Sequence, residues 1–234
     1  MIIILGLDGL EYEYVIEFKC KNLMQKIFGK TDISDFKELR TIVLWSSFLT
    51  GKNLEDKILS LGKDFWKFKL NQEETFFNKF KKWKAIDVPG FNYKFENHRI
   101  EREALKKFFN KEISINEYDE IVFKNHKENK KEFFNALEKD YEIIMGYFNL
   151  ADGIGHLSFG IKSKMRLIYE ELESIVEKAK EISNNVLIIS DHGMKAIGRF
   201  GDHNNYGFWS LSKEISLNNP KLTEFHKIIE KLND

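Results

Sequence analysis

The stretch Asn184-Asn-Val-Leu-Ile-Ile-Ser-Asp191-His192-Gly193-Met194 decides how this chain folds. Its aliphatic, largely β-branched run predicts a buried strand that ends abruptly in a carboxylate, an imidazole and a glycine. Carboxylates and imidazoles bind metal ions, and open α/β sheets carry their active sites at the carboxyl ends of their strands. Taken alone, the Asp-His-Gly triplet also fits a strand that leaves the core through a polar turn, so the other strand ends matter.

Two further predicted strands end in the same kind of residue. Residues 2–7 form an apolar run that meets Asp8, and residues 141–149 form another that leads to Asp152 and His156. A spacing of four residues lets Asp152 and His156 converge on one metal ion, and the glycines between them predict a tight turn. Three carboxylates at three strand ends predict a shared site rather than unrelated turns.

The connection between the last two strands predicts the fold class. Apolar residues recur at steps of three and four from Ile161 to Ile182, which indicates an amphipathic helix. A right-handed strand–helix–strand crossover is expected to place the turn after residue 149 beside the turn after residue 190. We therefore predict an α/β fold, a three-layer sandwich with a mostly parallel central sheet and helices on both faces.

The remaining segments predict one domain over residues 1–234, with a small helical cap or insertion around residues 64–140. Residues 11–28 fit a helix packed on the sheet, and the segment that starts at Thr41 begins apolar and extended. Aromatic residues interleave with lysines from residue 64 onward, where their spacing favours a core-facing helical stripe over a nucleic-acid stacking surface. Two amphipathic helices are expected between residues 99 and 140, with His126 on the surface.

Composition limits the functional classes. The 37 basic and 37 acidic residues cancel, so we expect no specific binding of nucleic acid. The single cysteine, Cys20, excludes an internal disulfide and a cysteine-based zinc cluster. The apolar start lacks a basic leader, and no other run approaches the roughly 20 residues that span a bilayer, so we expect a cytoplasmic protein without membrane association. The oligomeric state cannot be inferred from the sequence.

Six motifs follow one another along the chain: Gly6-Leu-Asp8-Gly, Trp45-Ser-Ser-Phe-Leu-Thr-Gly-Lys-Asn53, Val88-Pro-Gly90, Asp152-x-x-x-His156, Ser190-Asp-His-Gly-Met194 and His203-x-x-x-Gly207. In this order they resemble the alkaline phosphatase superfamily and, within it, the type I phosphodiesterase and nucleotide pyrophosphatase family. They span nearly the whole chain. The resemblance implies a hydrolase of phosphate esters that uses two divalent metal ions and acts on a small-molecule ester or a nucleotide.

The resemblance also implies a role for each site residue. Thr41 would be the nucleophile and would form a phosphothreonine intermediate, because coordination to a metal lowers the pKa of a hydroxyl. One metal would be bound by Asp8, Asp191, His192 and the Thr41 hydroxyl, and the other by Asp152, His156 and His203. Mixed carboxylate and imidazole ligands favour zinc or manganese.

The chain departs from the family pattern near the nucleophile. Val43 replaces the usual proline, and the usual His-Gly pair after the Gly-Lys-Asn segment is replaced at Lys57. The phosphate-binding asparagine of the family has no match near Gly62, so Lys57 or Lys63 is considered as the substrate-binding cation.

Several alternatives stay open from the sequence. Ser46, Ser47 or a metal-bound hydroxide could replace Thr41 as the nucleophile. A phosphomutase of the phosphoglycerate mutase type is a second activity compatible with the motif that ends at His156. A third alternative is a metal-binding member of the family without catalytic activity.

Overall fold

The computed structural model describes residues 1–232, and its strands form a central sheet and a separate hairpin. The strands are β1 Ile2–Leu7, β2 Ile27–Asp32, β3 Trp83–Ile86, β4 Ile143–Phe148, β5 Val186–Ser190, β6 Met194–Ile197, β7 Phe200–His203 and β8 Tyr206–Leu211. The central sheet has the order β2-β8-β5-β1-β4-β3, and β6 pairs with β7.

Helices connect most of these strands. They are α1 Tyr12–Glu17, α2 Lys21–Met24, α3 Thr41–Thr50, α4 Glu55–Leu59, α5 Phe95–Phe109, α6 Ile115–Leu137, α7 Leu150–Ser158, α8 Lys162–Ile182 and α9 Phe225–Leu232. Short 3₁₀ helices lie at Gly62–Lys67, Gln72–Glu74, Phe76–Lys79 and Leu222–Glu224. Within residues 1–232, no helix combines the length and the apolar composition needed to cross a bilayer.

The central sheet is mostly parallel, as predicted. β1 pairs in parallel with β4 and β5, and β3 pairs in parallel with β4. β8 is antiparallel to both of its neighbours, β2 and β5, so it alone runs against the other five strands of this sheet. Every residue of β1, β4 and β5 is buried, which is typical of strands that are covered on both faces.

Successive side chains of β1 point into two separate cores. Ile3, Leu5 and Leu7 pack with residues of α1, α6, α7 and α8 on one face of the sheet. Ile2 and Ile4 pack with residues of α3 and α9 on the other face. Side chains alternate between the faces of a strand, so a continuous apolar run needs a helical layer on each side. The predicted three-layer arrangement is confirmed.

The prediction of one helix over residues 11–28 was wrong. α1 ends at Glu17, α2 covers only Lys21–Met24, and β2 begins at Ile27. Lys19 and Gln25 have positive φ angles, of 58° and 51°. Such residues interrupt a right-handed helix, and they break this segment into short pieces.

The segment that starts at Thr41 is a helix rather than an extended chain. All residues of α3 after Thr41 are buried. A helix buried on every side shows no polar face, so its apolar periodicity is absent from the sequence. Thr41 therefore lies at a helix N-terminus.

Residues 64–140 contribute to the central sheet as well as to helices. The two helices expected between residues 99 and 140 are present as α5 and α6, and β3 is an edge strand of the sheet. The aromatic stripe is not one helix, because Phe76 and Phe77 lie in a 3₁₀ helix; both are nevertheless fully buried, as expected of core residues. Assignment of this region as a cap or insertion stays a prediction.

Candidate metal centre

Three carboxylates and an imidazole meet at the carboxyl edge of the central sheet. Asp8 directly follows β1, Asp191 directly follows β5, and Asp152 lies on α7 after β4. His192 Nε2 is 3.2 Å from Asp8 Oδ1, 3.8 Å from Asp191 Oδ2 and 4.0 Å from Asp152 Oδ1. β1 lies between β4 and β5, so the crossover does not make the two turns direct neighbours, yet their side chains still converge.

Asp152 and His156 lie one helical turn apart on α7, where the sequence predicted a tight turn. His156 Nε2 is 3.3 Å from Asp152 Oδ2, and His203 Nε2 is 3.6 Å from Asp152 Oδ1. Gly155 lets the hairpin that carries His203 pack tightly on α7, because a Cβ at this position would lie 2.3 Å from Met194 Sδ. The glycine therefore serves close packing rather than a turn.

Two of the imidazoles are oriented by backbone carbonyls. His192 Nδ1 lies 3.0 Å from the Gly193 carbonyl oxygen, and His203 Nδ1 lies 3.2 Å from the Leu39 carbonyl oxygen. A carbonyl only accepts hydrogen bonds, so each Nδ1 is the donor and each Nε2 faces the carboxylates. This orientation is typical of histidines that bind metals through Nε2.

Five buried atoms of this cluster lack a hydrogen-bond partner among residues 1–232. They are Asp8 Oδ1, Asp152 Oδ1, both carboxylate oxygens of Asp191, and His192 Nε2. Within the same residues, no lysine or arginine forms an ion pair with any of the three aspartates. Buried charges without partners are strongly unfavourable, so the donor set fits bound cations.

The protonation of the cluster without metal supports the same interpretation. Burial, together with the neighbouring Asp8 carboxylate, raises the pKa of Asp191 well above its usual range. Burial disfavours the charged form of His192, yet the carboxylates of Asp191, Asp8 and Asp152 raise its pKa well above its usual range. Protons thus occupy atoms for which metal ions compete.

The ligand atoms form two groups that share Asp152. One group is Asp152, His156 and His203, and the other is Asp8, Asp152 and His192; in each group the ligand atoms lie within 4.8 Å of one another. The first group matches one set implied by the family resemblance. The second differs, because Asp152 joins Asp8 and His192 while Asp191 lies 3.8 Å from His192 Nε2. The Asp152 carboxylate is therefore placed between two candidate metal positions.

Asp8 is held by two donors, one from α3 and one from β4. Trp45 Nε1 donates to Asp8 Oδ2 at 3.3 Å, and the Tyr147 hydroxyl donates to the same oxygen at 2.5 Å. These bonds leave Oδ1 free to face the cluster. Trp45 lies one turn after Thr41 on α3, so the contact with Asp8 also anchors the helix that begins with Thr41.

A cavity of about 500 Å³ adjoins the cluster. Thr41, Asp152, His156 and His203 line it, so the residue that the resemblance assigns as the nucleophile shares one cavity with three residues assigned as metal ligands. Ser46 and Ser47 are fully buried and do not line this cavity. Ser47 Oγ instead accepts a hydrogen bond from the Leu54 amide at 3.0 Å.

The two lysines considered for substrate binding lie outside the cavity. Lys57 Nζ is 3.6 Å from Glu74 Oε1, and Lys63 is exposed in a 3₁₀ helix. The cations that do line the cavity include Arg40 and Arg102. Sequence reasoning missed both, although Arg40 directly precedes Thr41.

A second buried histidine, also missed from the sequence, lies in the wall of the cavity. His98 Nε2 is 2.8 Å from Asp87 Oδ2, and His98 Nδ1 is 3.1 Å from Glu101 Oε2. Burial disfavours the charged form, but the hydrogen bonds to Asp87 and Glu101 raise the pKa of His98 to about 9. Asn149, the residue before α7, donates to Glu101 Oε2 at 2.7 Å and so links this network to the helix that carries Asp152.

His126 is buried, and the prediction that it lies on the surface was wrong. Its Nε2 is 2.9 Å from Glu171 Oε1 on α8. The charged run around His126 suggested a solvated helical face, but α8 covers this part of α6. Packing between helices that are distant in sequence decided the burial.

No family model matches the chain, and no curated protein matches it either. Among solved structures, the chain is similar to murine ectonucleotide pyrophosphatase/phosphodiesterase 5, with 16% identity, a TM-score of 0.49, and coverage of 85% of this chain and 58% of that one. The human protein of the same name gives 14% identity, a TM-score of 0.47, and coverage of 83% and 57%. The chain thus spans less than three fifths of the length of these two structures.

A third similar structure has a different name. The complex of Ps i-CgsB with k-i-k-neocarrahexaose gives 12% identity, a TM-score of 0.49, and coverage of 99% of this chain and 71% of that one. The first two structures carry the name of the family that the sequence motifs resemble.

Proposed function

We propose that this protein is a hydrolase of phosphate esters that works with two divalent metal ions, zinc or manganese. The observation that carries the proposal is the convergence of Asp8, Asp152, Asp191 and three imidazoles, with buried ligand atoms that have no partner among residues 1–232. Carboxylate and imidazole donors suit zinc and manganese. The cluster lies at the carboxyl edge of the sheet, where α/β enzymes carry their active sites.

Each residue has a role in this proposal. Asp152, His156 and His203 would hold one ion, and Asp8, Asp191 and His192 would hold the other, with Asp152 close to both. When bound, the ions would lower the pKa of a hydroxyl and neutralise charge on the phosphate. Trp45 and Tyr147 keep the Asp8 carboxylate in a fixed orientation through their hydrogen bonds to Oδ2.

Thr41 is the proposed nucleophile. As the first residue of α3 it lies at a helix N-terminus, where backbone N–H groups without intrahelical acceptors favour an anion such as phosphate. Its hydroxyl oxygen attacks phosphorus, the bond from phosphorus to the leaving oxygen breaks, and a phosphothreonine forms. The hydroxyl proton leaves to solvent, and the leaving oxygen takes a proton from water. A second water then cleaves the phosphothreonine, which releases the phosphate product and restores Thr41.

The proposed substrates are phosphodiesters or nucleotides rather than the smallest phosphate esters. A cavity of about 500 Å³ is in the range that holds a small organic ligand. Trp66 and Tyr93 line it and offer aromatic surface to such a ligand.

The test is hydrolysis of chromogenic phosphodiesters and phosphomonoesters by the purified protein with zinc or manganese. We expect turnover that a chelator removes, and T41A should abolish turnover while about two metal ions per chain remain bound. T41S retains a hydroxyl and should keep activity. Undiminished activity of T41A would instead identify a water molecule as the nucleophile.

Two other outcomes would replace the proposal. Bound metal without turnover of any ester would indicate a metal-binding protein that lacks catalytic activity. Transfer of phosphate within the substrate, without release of phosphate to water, would indicate a phosphomutase. The ratio of diester to monoester rates would then define the substrate class.

A further inference from the structure

Arg102 is held in the cavity by aromatic faces and not by a carboxylate. Its guanidinium carbon lies 4.5 Å from the centroid of the Trp66 ring and 5.5 Å from that of Phe95. In the part of the chain that the structure describes, Arg102 forms no ion pair. Arg99 on the same helix, in contrast, pairs with Glu96 at 2.9 Å and with Glu103 at 2.5 Å.

Contact with aromatic rings leaves the donors of a guanidinium available. An aromatic ring offers no oxygen acceptor, and among residues 1–232 the five N–H donors of Arg102, which form a planar fork, have no carboxylate partner. That planar fork matches two oxygens of a phosphate or a carboxylate. Arg102 is half-buried and lines the same cavity as Thr41 and His156. A ligand in the cavity therefore has access to these donors.

Neither Glu101 nor Glu38 of the cavity wall neutralises Arg102, because each has another partner. Glu101 accepts hydrogen bonds from Asn125 and Asn149, at 2.6 Å and 2.7 Å, and lies 3.1 Å from His98 Nδ1. Glu38 pairs with Arg40 at 2.9 Å. The charge of Arg102 is thus available to a ligand.

We infer that Arg102 is the receptor for a second oxyanion of the substrate, separate from the phosphoryl group that reacts at the metal cluster. The inference rests on the proposed function and narrows its substrate class to phosphate esters that carry a further phosphate or carboxylate group. Trp66 and Phe95 fix the guanidinium, and the ligand supplies the partner that the protein lacks. Arg102 is then a determinant of specificity and takes no part in bond cleavage.

A series of bisphosphonates measures this second site directly. Alkane-α,ω-bisphosphonates of increasing chain length are compared with monoalkylphosphonates of the same length, by calorimetric titration of the zinc-loaded T41A variant. One phosphonate occupies the metal cluster, and the other reaches Arg102 when the chain is long enough. For at least one length we expect the bisphosphonate to bind about tenfold more tightly than the monophosphonate, which corresponds to about 1.4 kcal/mol.

Substitutions of two arginines on α5 distinguish specific binding at Arg102 from a general effect of positive charge. R102Q in the T41A background should remove the tenfold preference, and R102K should restore only part of it because lysine lacks the planar fork. R99Q removes an exposed, paired arginine of α5 and should retain the whole preference. Dicarboxylates and phosphonocarboxylates of the best length then show whether the second group is a phosphate or a carboxylate.

The outcomes distinguish this inference from the proposed function. If no chain length gives a preference, or if the preference survives R102Q, Arg102 is not the receptor, whether or not esters are hydrolysed. A lower melting temperature of R102Q with an unchanged preference would leave Arg102 only a structural role in stacking on Trp66. If neither ligand series binds and no ester is hydrolysed, the hydrolase proposal fails together with the second site.

Discussion

Two clusters at the same edge of the sheet each place a buried histidine among carboxylates. They differ in whether other side chains of the protein donate hydrogen bonds to all of those carboxylates. His98 bonds both of its nitrogens to Asp87 and Glu101, and asparagine side chains donate to the same carboxylates. His192 presents Nε2 to Asp8, Asp152 and Asp191, which together keep four buried oxygens without a hydrogen-bond partner among residues 1–232. The first cluster has its hydrogen bonds satisfied as folded, whereas the second leaves buried oxygens that bound cations would satisfy.

Burial and composition alone therefore do not distinguish a candidate metal centre from a hydrogen-bonded cluster. Both histidines are at most 2% exposed, and both have a raised pKa. The difference lies in the donors around the carboxylates, because a hydrogen-bonded buried charge is tolerated and an unpaired one is not. Unpartnered oxygens are therefore the more selective signal of a cation site.

The largest expected effect is on the metal cluster. Asp152→Asn removes a charge that both ligand groups share, so we expect it to abolish hydrolysis and to lower the metal content of both sites. Elemental analysis and the hydrolysis rate measure the two effects. His98→Gln is the control in the other cluster and should retain the full metal content. Equal metal loss in the two variants would contradict the distinction between the clusters.

The His98 cluster should contribute to stability and do so in a pH-dependent way. The pKa of His98 is raised from 6.5 to about 9, so its contribution is fully present below pH 6.5 and is lost as the pH rises through about 9. His98→Leu leaves Asp87 and Glu101 buried without this partner and should cost about 3–5 kcal/mol near pH 6. Urea unfolding of both proteins across this pH range tests the claim. A constant difference between them would mean that His98 does not titrate in this range.

The smallest expected effect is on the stability of the metal-free protein, and here the substitution should stabilise the fold. Asp191→Asn replaces a buried carboxylate that lacks partners among residues 1–232, so it should stabilise the chelated protein by about 1–4 kcal/mol. The same substitution should weaken metal binding and thus reduce the stabilisation that metal provides. Thermal unfolding with and without zinc measures both. Destabilisation in the chelated protein would show that Asp191 has a partner other than a cation.

Prediction from the sequence succeeded where a local pattern controls the structure. The apolar runs of β1, β4 and β5 are continuous because helices cover both faces, and the carboxyl ends of parallel strands lie at one edge. On this basis the sequence predicted that Asp8 and Asp191 lie close together. The same kind of reasoning failed for α3, which is buried on every side after Thr41 and so has no exposed polar face to reveal a helical period.

Residues whose roles depend on distant contacts were missed. Asp87 follows a short strand and His98 lies inside a helix, and neither position carries a signal of the hydrogen bond between them. Arg102 is one of many basic residues in a charged helix, and only its stacking on Trp66 separates it from Arg99. These distinctions come from tertiary packing.

The sequence by itself determined the layered α/β fold and the strand ends that carry the metal-capable side chains, because periodicity and strand direction act over short segments. The tertiary structure alone decided that Asp152 lies between two ligand groups, that Thr41 opens a buried helix beside the cavity, and that Arg102 keeps its donors free. Each of these features depends on which groups from distant parts of the chain contact one another. Those contacts form only when the layers pack.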